Sequence, residues 1–413
     1  MSSGKIKRPE LLVPASSLEV LKTAVIFGAD AVYIGGEAYG LRAKAKNFSM
    51  EEMAEGIAFA HERGVKVHVT ANILAHNYDL KGVREYLEEL NDLKPDALII
   101  ADPGIFTIAR EVCPDTDIHI STQANNTNYL TYDFWYRQGA KRVVSARELS
   151  LREIKEIRQH IPEDMEIESF IHGAMCISYS GRCLLSSFLT GRDANRGACT
   201  HPCRWKYALV EETRPGEYMP VFENERGTYI FNSKDLCMIE HIPEMLDAGI
   251  DSFKIEGRMK TALYVATVAR TYRKAIDDLL DSEEKYRENM DWYRHEIAQC
   301  TYRQFTTGFY FGKPDENTQI YDNSTYVRES VYLGMADAVY DDGSIALEQK
   351  NKFCVGDEIE VMKPDGRDIP VKVTGIRNEE GGEMESAPHA RQKLRVFLDP
   401  PCAGRFDLLR CGC

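Results

Sequence analysis

The chain has 413 residues, 43% hydrophobic and 28% charged, a composition typical of globular proteins with one large domain or several ordinary ones. No run approaches the roughly 18 to 20 uncharged apolar residues that a membrane span needs, and the basic start has no apolar segment of a secretory signal behind it. The formal net charge of −14 argues against a surface that binds nucleic acid uniformly, because phosphate contacts need lysine and arginine. We therefore expect a cytoplasmic protein that does not associate with membranes.

The first two thirds of the sequence repeats a short apolar strand followed by an amphipathic helix. The pattern predicts helices at about 18–27, 50–63, 82–93, 106–112 and 239–248 and strands at 10–14, 31–36, 65–72, 97–102, 118–123, 142–147, 165–171 and 252–256. About eight strands in parallel βα units predict an α/β fold, a TIM-like (β/α)8 barrel. A doubly wound open sheet is the alternative.

Polar residues recur where these predicted strands end, and this favours the barrel. They are Asn72, Asp102, Gln123, Asn125, Arg147, His172, Glu256 and Arg258. The carboxyl ends of barrel strands carry the active site in this fold, so we expect functional side chains at that face.

The texture of the sequence changes beyond Tyr332. A charged helical stretch over 262–298 is followed by short alternating strands separated by glycine, aspartate and proline turns, which predict a small β-barrel of about 80 residues. We expect a catalytic barrel domain over residues 1–330, with a cysteine-rich insertion at 172–237, and a β-barrel domain over 331–413. The second domain is either structural support or a nucleic-acid contact.

Five of the eleven cysteines lie between residues 176 and 237, at Cys176, Cys183, Cys199, Cys203 and Cys237. A reducing compartment and an odd total argue against structural disulfides. The spacing suits an iron–sulfur cluster assembled from several loops better than a zinc ribbon, and a redox or nucleophilic cysteine is the third reading. Five candidates for four positions leave one surplus, either Cys199 or Cys203. Because long loops in compact domains are usually functional, we expect the insertion to cover the barrel mouth.

Basic residues are concentrated in the same region. Residues 171–207 hold four arginines and one lysine against a single acid, which would attract a polyanion or a small multiply charged acid. Solvated surface charge is the alternative. The sequence has no His-Glu-x-x-His, Gly-x-Ser-x-Gly, P-loop or Rossmann glycine pattern, which argues against common hydrolases and nucleotide-dependent chemistry.

The pattern Glu168-x-Phe170-x2-Gly173-Ala174-Met175-Cys176-x4-Gly181-x-Cys183-x-Leu185-Ser186 resembles the signature of peptidase family U32. The segments 10–15, 196–204 and 254–258 and the C-terminal β-domain resemble the family as well, so the similarity covers nearly the whole chain. The resemblance implies an oxygen-independent hydroxylase that converts the wobble uridine of a tRNA anticodon loop to 5-hydroxyuridine. It further implies prephenate as hydroxyl donor and a [4Fe-4S] cluster as cofactor. The family name implies the alternative, a peptidase that acts on collagen-like chains.

The resemblance also implies roles for particular residues. Cluster ligands carry over to Cys176, Cys183, Cys199 and Cys237, with Cys203 as the alternative for the third. Carboxylates of prephenate suit the forked donors of Arg42, Arg147, Arg182 and Arg258. Candidates for proton transfer are Glu168, His172 and Glu256, each equally plausible as a structural hydrogen-bonding partner. The expected partners are the tRNA anticodon loop, prephenate, and a second copy or a related family subunit.

Overall fold

In a computed structural model, the residues described are 7–40, 47–176, 178–180, 182–196, 198–205, 208–210, 218–220, 232–300, 304–312, 319–320, 330–389 and 391–412. Their contacts define two compact units. The first is drawn from Met1–Leu21, Asp30–Met259 and Arg303–Thr325, and the second from Lys22–Ala29, Lys260–Tyr302 and Tyr326–Cys413.

Eight parallel strands of the first unit form a closed barrel. They are β1 (Glu10–Pro14), β2 (Ala31–Gly35), β3 (Lys66–Ala71), β4 (Ala97–Ile100), β5 (Asp117–Ile120), β6 (Arg142–Val144), β7 (Glu166–Ala174) and, after a long insertion, β12 (Ser252–Ile255). Neighbours pair in chain order from β1 to β7, and β12 pairs with both β7 and β1, which closes the sheet. The predicted (β/α)8 barrel is thereby confirmed, and the open sheet is excluded.

Helices connect these strands in the expected alternation. They are α1 (Leu18–Ile26), α2 (Met50–His61), α3 (Val83–Leu93), α4 (Pro103–Val112), α5 (Tyr129–Arg137), α6 (Leu151–His160) and α8 (Ile242–Asp247). Local sequence fixes several of their starts. Ser49 and Ser150 each form a capping box with the glutamate three residues on, and the Asp102 carboxylate accepts hydrogen bonds from the first turn of α4. Because Pro103 occupies the first turn, α4 begins three residues earlier than the apolar periodicity predicts.

The insertion between β7 and β12 consists of short elements. It contains α7 (Leu185–Thr190), the hairpin strands β8 (Ala208–Val210) and β9 (Tyr218–Pro220), and β10 (Asn232–Ser233), which pairs with β14 (Gln319–Ile320). β7 runs three residues beyond its predicted end. Its extension pairs antiparallel with β11 (Asp235–Cys237), and β13 (Phe305–Thr306) adds to β11.

The second unit combines three helices with an antiparallel sheet. The helices are α9 (Ala262–Asp281), α10 (Glu283–Glu288) and α11 (Met290–Ala298). The strands are β15 (Ser330–Val339), β16 (Ile345–Glu348), β17 (Phe353–Cys354), β18 (Glu358–Met362), β19 (Asp368–Asn378), β20 (Glu383–Met384), β21 (Ser386–Ala387), β22 (Lys393–Asp399) and β23 (Leu408–Gly412). The main sheet closes through the pairing of β18 with β19, as expected of a small β-barrel.

Buried ion pairs join the helices of the second unit to its sheet. Arg270 on α9 is 2.8 Å from Asp368 on β19, and Arg410 on β23 is 2.8 Å from Glu296 on α11. Contacts thus group α9–α11 with the sheet. In the described part of the chain, no helix has both the length and the apolarity to cross a bilayer.

Candidate functional site

A buried ion-pair network lies inside the barrel, toward the amino-terminal ends of the strands. It joins the non-adjacent strands β1 and β6, because Arg142 donates to Glu10 at 2.5 Å, and both residues begin their strands. Glu168 on β7 is fully buried, with one carboxylate oxygen 2.5 Å from Lys254 Nζ and the other 3.0 Å from Arg142. Both oxygens of this candidate for proton transfer are therefore engaged in ion pairs below the barrel mouth.

Burial and charge act in opposite directions on the carboxylates of this network. Burial alone would raise the pKa of Glu10, but the charges and hydrogen bonds of its neighbours, Arg142 foremost, together lower that pKa to about 2. The pKa of Glu168 is likewise lowered against its burial, by Lys254 and Arg142. Both carboxylates are therefore charged at neutral pH, and each depends on a cation beside it.

Two histidines lie inside the barrel next to these charges. The rings of His68 on β3 and His119 on β5 meet edge to face across the interior, with centroids 4.7 Å apart. Burial lowers the pKa of His68 to about 4 and that of His119 well below its ordinary value. Both imidazoles are therefore neutral at neutral pH.

At the carboxyl ends of the strands, Arg258 reaches across the barrel mouth. It follows β12 and donates from Nη1 to the Thr70 hydroxyl on β3 at 2.6 Å. A Cβ on Gly35 would lie 2.5 Å from that nitrogen, so a glycine at the end of β2 is what leaves room for the guanidinium.

Tyr86 on α3 lies near the same arginine. A Cβ on Gly36 would overlap the Tyr86 hydroxyl, which is buried and has no hydrogen-bond partner among the described residues. Burial raises the pKa of Tyr86, and the charge of Arg258 acts against that rise. A neutral phenol with an unused hydrogen bond therefore accompanies the arginine at the mouth.

The glycine of the family signature, Gly173, brings two motif segments together. Its φ is 111°, and a Cβ there would lie 2.6 Å from the carbonyl oxygen of Glu256. The register between β7 and β12 shifts at this point, and the Glu256 amide donates to the His172 carbonyl at 2.8 Å. His172 and Glu256, both candidates for proton transfer, are thus adjacent through their backbones at the strand ends.

Arg147 also lies at this end of the barrel. It donates from Nη1 to the carbonyl of Ala174 at 2.8 Å, and its guanidinium lies 4.1 Å from the centroid of the Phe170 ring. Its Nε is buried without a partner among the described residues. Arg147 and Arg258 are therefore both held near the carboxyl ends of the strands.

The described part of the insertion over residues 178–205, here called the cap, is pinned above the barrel strands. Asn125, after β5, accepts from Arg182 Nε at 2.8 Å and donates to the Ser180 carbonyl at 3.2 Å. Asn195 exchanges two side-chain hydrogen bonds with the backbone of Leu74, after β3, at 3.2 and 3.1 Å. The cap therefore covers the carboxyl ends of the strands, where the sequence predicts the insertion to lie.

Inside the cap, the signature residue Ser186 holds the segment that carries Cys199. Its buried hydroxyl accepts from the Thr200 amide at 3.0 Å and is 3.1 Å from the Thr200 hydroxyl. The sulfur of Cys199 accepts a hydrogen bond from the His201 amide at 3.4 Å. Ser186 and this amide contact together position the sulfur of Cys199 within the cap.

The five clustered cysteines occupy the cap and the strands beside it, and none of them forms a disulfide with another described residue. Cys176 is exposed just beyond β7, whereas Cys237 lies on β11 directly opposite His172. Across the described ranges, no three Cys, His, Asp or Glu side chains converge closely enough to hold a metal ion. The donor chemistry fits a thiolate-ligated cluster, but this arrangement does not form a closed binding site. Arg42, the remaining predicted site residue, lies outside the described residues.

Several residues around the mouth and interior are not predicted as site residues from the sequence. Thr70 and Tyr86 read as ordinary strand and helix residues, and their partners lie far away along the chain. Arg142 and Lys254 stand inside predicted strands, where a charge on an apolar strand is the available signal of a buried ion pair.

Comparison with known proteins places the chain among characterised relatives. The family described as peptidase family U32 matches residues 16–320, and its C-terminal domain matches residues 328–410. tRNA hydroxylation protein P1 from Bacillus subtilis is 43% identical, over 95% of this chain and 92% of its own. tRNA hydroxylation protein P from Escherichia coli is 39% identical over 92% of each chain. The 23S rRNA 5-hydroxycytidine C2501 synthase of Escherichia coli is 38% identical over 66% of this chain and 40% of its own. As its signature predicts, the chain belongs to peptidase family U32.

Proposed function

We propose that this protein is a tRNA hydroxylase. The observation that carries the proposal is the 43% identity, over 95% of the chain, to a protein named for tRNA hydroxylation. The match includes both the barrel and the C-terminal domain. A barrel mouth with arginines and a cysteine-bearing cap supports the same function, because an enzyme that acts on RNA needs cationic groups near its reaction site.

The finer proposal is the oxygen-independent conversion of the wobble uridine to 5-hydroxyuridine, with prephenate as hydroxyl donor. Prephenate carries two carboxylates, and planar guanidinium groups bind carboxylates through two parallel hydrogen bonds. The positions of Arg258 and Arg147 support this proposal, because both lie at the carboxyl ends of the barrel strands. The unused Tyr86 hydroxyl adds a neutral donor near Arg258.

Proton transfer falls to His172 and Glu256 in this proposal. Their backbones are joined by a hydrogen bond at the ends of β7 and β12, so the two residues are neighbours at the barrel mouth. Glu168 is the weaker candidate because Lys254 and Arg142 hold both of its oxygens. Its charge instead fixes the strands that position the other two.

We further propose a [4Fe-4S] cluster held by Cys176, Cys183, Cys199 and Cys237, with Cys203 as the alternative to Cys199. When bound, such a cluster supplies an electron-transfer or Lewis-acid centre beside the barrel mouth. The support is the concentration of five cysteines outside any described disulfide in and beside the cap, and the amide contact to the sulfur of Cys199.

Anaerobic purification and nucleoside mass spectrometry test the proposal together. We expect a brown protein that forms 5-hydroxyuridine in tRNA only when prephenate is added. Cys176→Ala should lose both the colour and the product, whereas Cys354→Ala, at a half-buried cysteine of the C-terminal sheet, should keep both. A colourless wild-type protein that cleaves collagen-like peptides and leaves tRNA unmodified would instead support the peptidase alternative.

A further inference from the structure

Large apolar side chains are exposed at high density in the cap. Phe188 is 86% exposed and Leu184 74%, while Trp205, Tyr179 and Leu189 are 47%, 45% and 43% exposed. Scattered single hydrophobic residues on a surface are normal, but a group in one short segment marks an interaction site.

The two most exposed members of this group, Leu184 and Phe188, lie on one face of the helix α7 and its N-cap. Leu184 and Phe188 are four residues apart, and the Phe188 amide donates to the Leu184 carbonyl, so their side chains share a face. The other face carries Ser186 and Thr190, whose hydroxyls lie 3.1 and 3.3 Å from the Thr200 hydroxyl. The polar face therefore binds the rest of the cap, and the apolar face is left to solvent, the reverse of an ordinary surface helix.

Charge identifies the kind of partner that this face suits. Residues 178–205 contain four arginines and one acidic residue, whereas the whole chain has a net charge of −14. The side chain of Arg182 is exposed, and of its three guanidinium nitrogens only Nε has a hydrogen-bond partner in the described part of the chain. Aromatic rings interleaved with arginines bind single-stranded nucleic acid, because bases stack on the rings and phosphates pair with the guanidinium groups.

The anchoring of the cap places this face beside the proposed reaction site. Asn125 and Asn195 tie it to the segments that follow β5 and β3, at the end of the barrel where Arg258 lies. A base that enters the barrel mouth must leave its stack, and its neighbours then need a surface on which to restack.

We propose that Leu184 and Phe188, on one face of α7, and the exposed Trp205 of the same cap form a stacking platform for the unpaired bases of an RNA loop. The proposal rests on the proposed function for the identity of that RNA, the tRNA anticodon loop. The platform holds the bases that flank the target while the target occupies the mouth.

Direct binding measurements on the full-length protein test the platform. Fluorescence anisotropy with a labelled tRNA, at one fixed salt concentration, should show Phe188→Ala with a Kd about tenfold higher than wild type, the loss expected for one base stack. Phe188→Trp should bind like wild type because it keeps an aromatic face. The matched control is Phe134→Ala, which truncates a 51% exposed phenylalanine on α5 and should change the Kd less than twofold.

Each outcome bears on one proposal or the other. Unchanged tRNA binding by Phe188→Ala would overturn the platform. If Phe188→Ala also has a lower oligomeric state than wild type in sedimentation, the face is instead a contact with a second copy of the chain. If wild type forms 5-hydroxyuridine while Phe188→Ala keeps the wild-type Kd, the platform fails and the hydroxylase proposal stands. If wild type binds tRNA but leaves it unmodified, while Phe188→Ala binds tenfold more weakly, the hydroxylase proposal fails and the platform stands.

Discussion

Substitution of Glu168 separates a structural role in the barrel from a catalytic one. Glu168→Gln keeps the volume but removes the charge that faces Lys254, whose side chain is 6% exposed. Breaking a buried ion pair by removing one partner costs about 3 to 5 kcal/mol, because the other charge is left without compensation. The amide oxygen of glutamine still accepts a hydrogen bond, so we expect a loss of about 3 kcal/mol in the free energy of unfolding.

The assay must report on the barrel alone, because the chain has two compact units. Trp135 and Trp205 belong to the first unit, and Trp292, on α11, belongs to the second. In a Trp292→Phe background, tryptophan fluorescence therefore follows the barrel during urea unfolding. We expect Glu168→Gln to lower the urea midpoint by about 1 M, given typical dependences on denaturant.

A second variant decides whether the uncompensated charge of Lys254 is the cause of the lost stability. Glu168→Gln combined with Lys254→Met removes both charges, and we expect it to recover at least half of the lost stability. If the double variant is no more stable than Glu168→Gln, the ion-pair reasoning is wrong. A Glu168→Gln protein with wild-type stability and no hydroxylation would show that Glu168 transfers protons after all.

Three further substitutions test other parts of the site. Gly173 has φ at 111°, and a Cβ there would lie 2.6 Å from the Glu256 carbonyl, so Gly173→Ala should lower the free energy of unfolding in urea by about 3 kcal/mol. Gly64 has φ at 71° and open space around it, so the control Gly64→Ala should lose only the backbone strain of about 1 to 2 kcal/mol. His68 has a folded pKa of about 4, below the 6.5 of the unfolded chain, so the unfolded state binds more protons in this window and stability falls as pH drops from 6.5 to 4. His68→Gln should remove about 3 kcal/mol of the stability lost between pH 6.5 and 4, and an unchanged pH dependence of the free energy of unfolding would contradict the assignment. Arg258→Lys keeps the charge but loses the planar fork, so the KM for prephenate should rise about tenfold with the KM for tRNA unchanged; equal rises in both would argue against a carboxylate site.

The barrel can be predicted from the sequence because its strands are short apolar runs that end in polar residues. This pattern arises because both faces of each strand are buried. It misses β11, since the three residues Asp235–Cys237 are too few to show a period and gain their strand geometry from β7. It also reads 262–298 as one helical stretch, although Ser282 caps α10 and interrupts it.

The site is only partly visible in the sequence for a related reason. Arg258 and Arg147 stand out as charged residues after strands, and the structure places both at the mouth. Their surroundings depend on contacts between distant positions, such as Thr70 with Arg258, which no local pattern encodes. Glu168 reads as a catalytic candidate because buried and reactive carboxylates look alike until their partners are known.

The pairing of β11 with β7 holds the backbone of Cys237 in the barrel sheet, unlike the cysteines of the cap. Its backbone belongs to the ladder that extends from the barrel sheet, whereas Cys183, Cys199 and Cys203 belong to the cap. A cofactor bound by both groups would close the long chain segment between Cys176 and Cys237 into a loop and would act as a staple between cap and barrel. Loading of the cofactor would then be the last step of folding for this region, and its loss would expose the cap to proteases while the barrel stays intact.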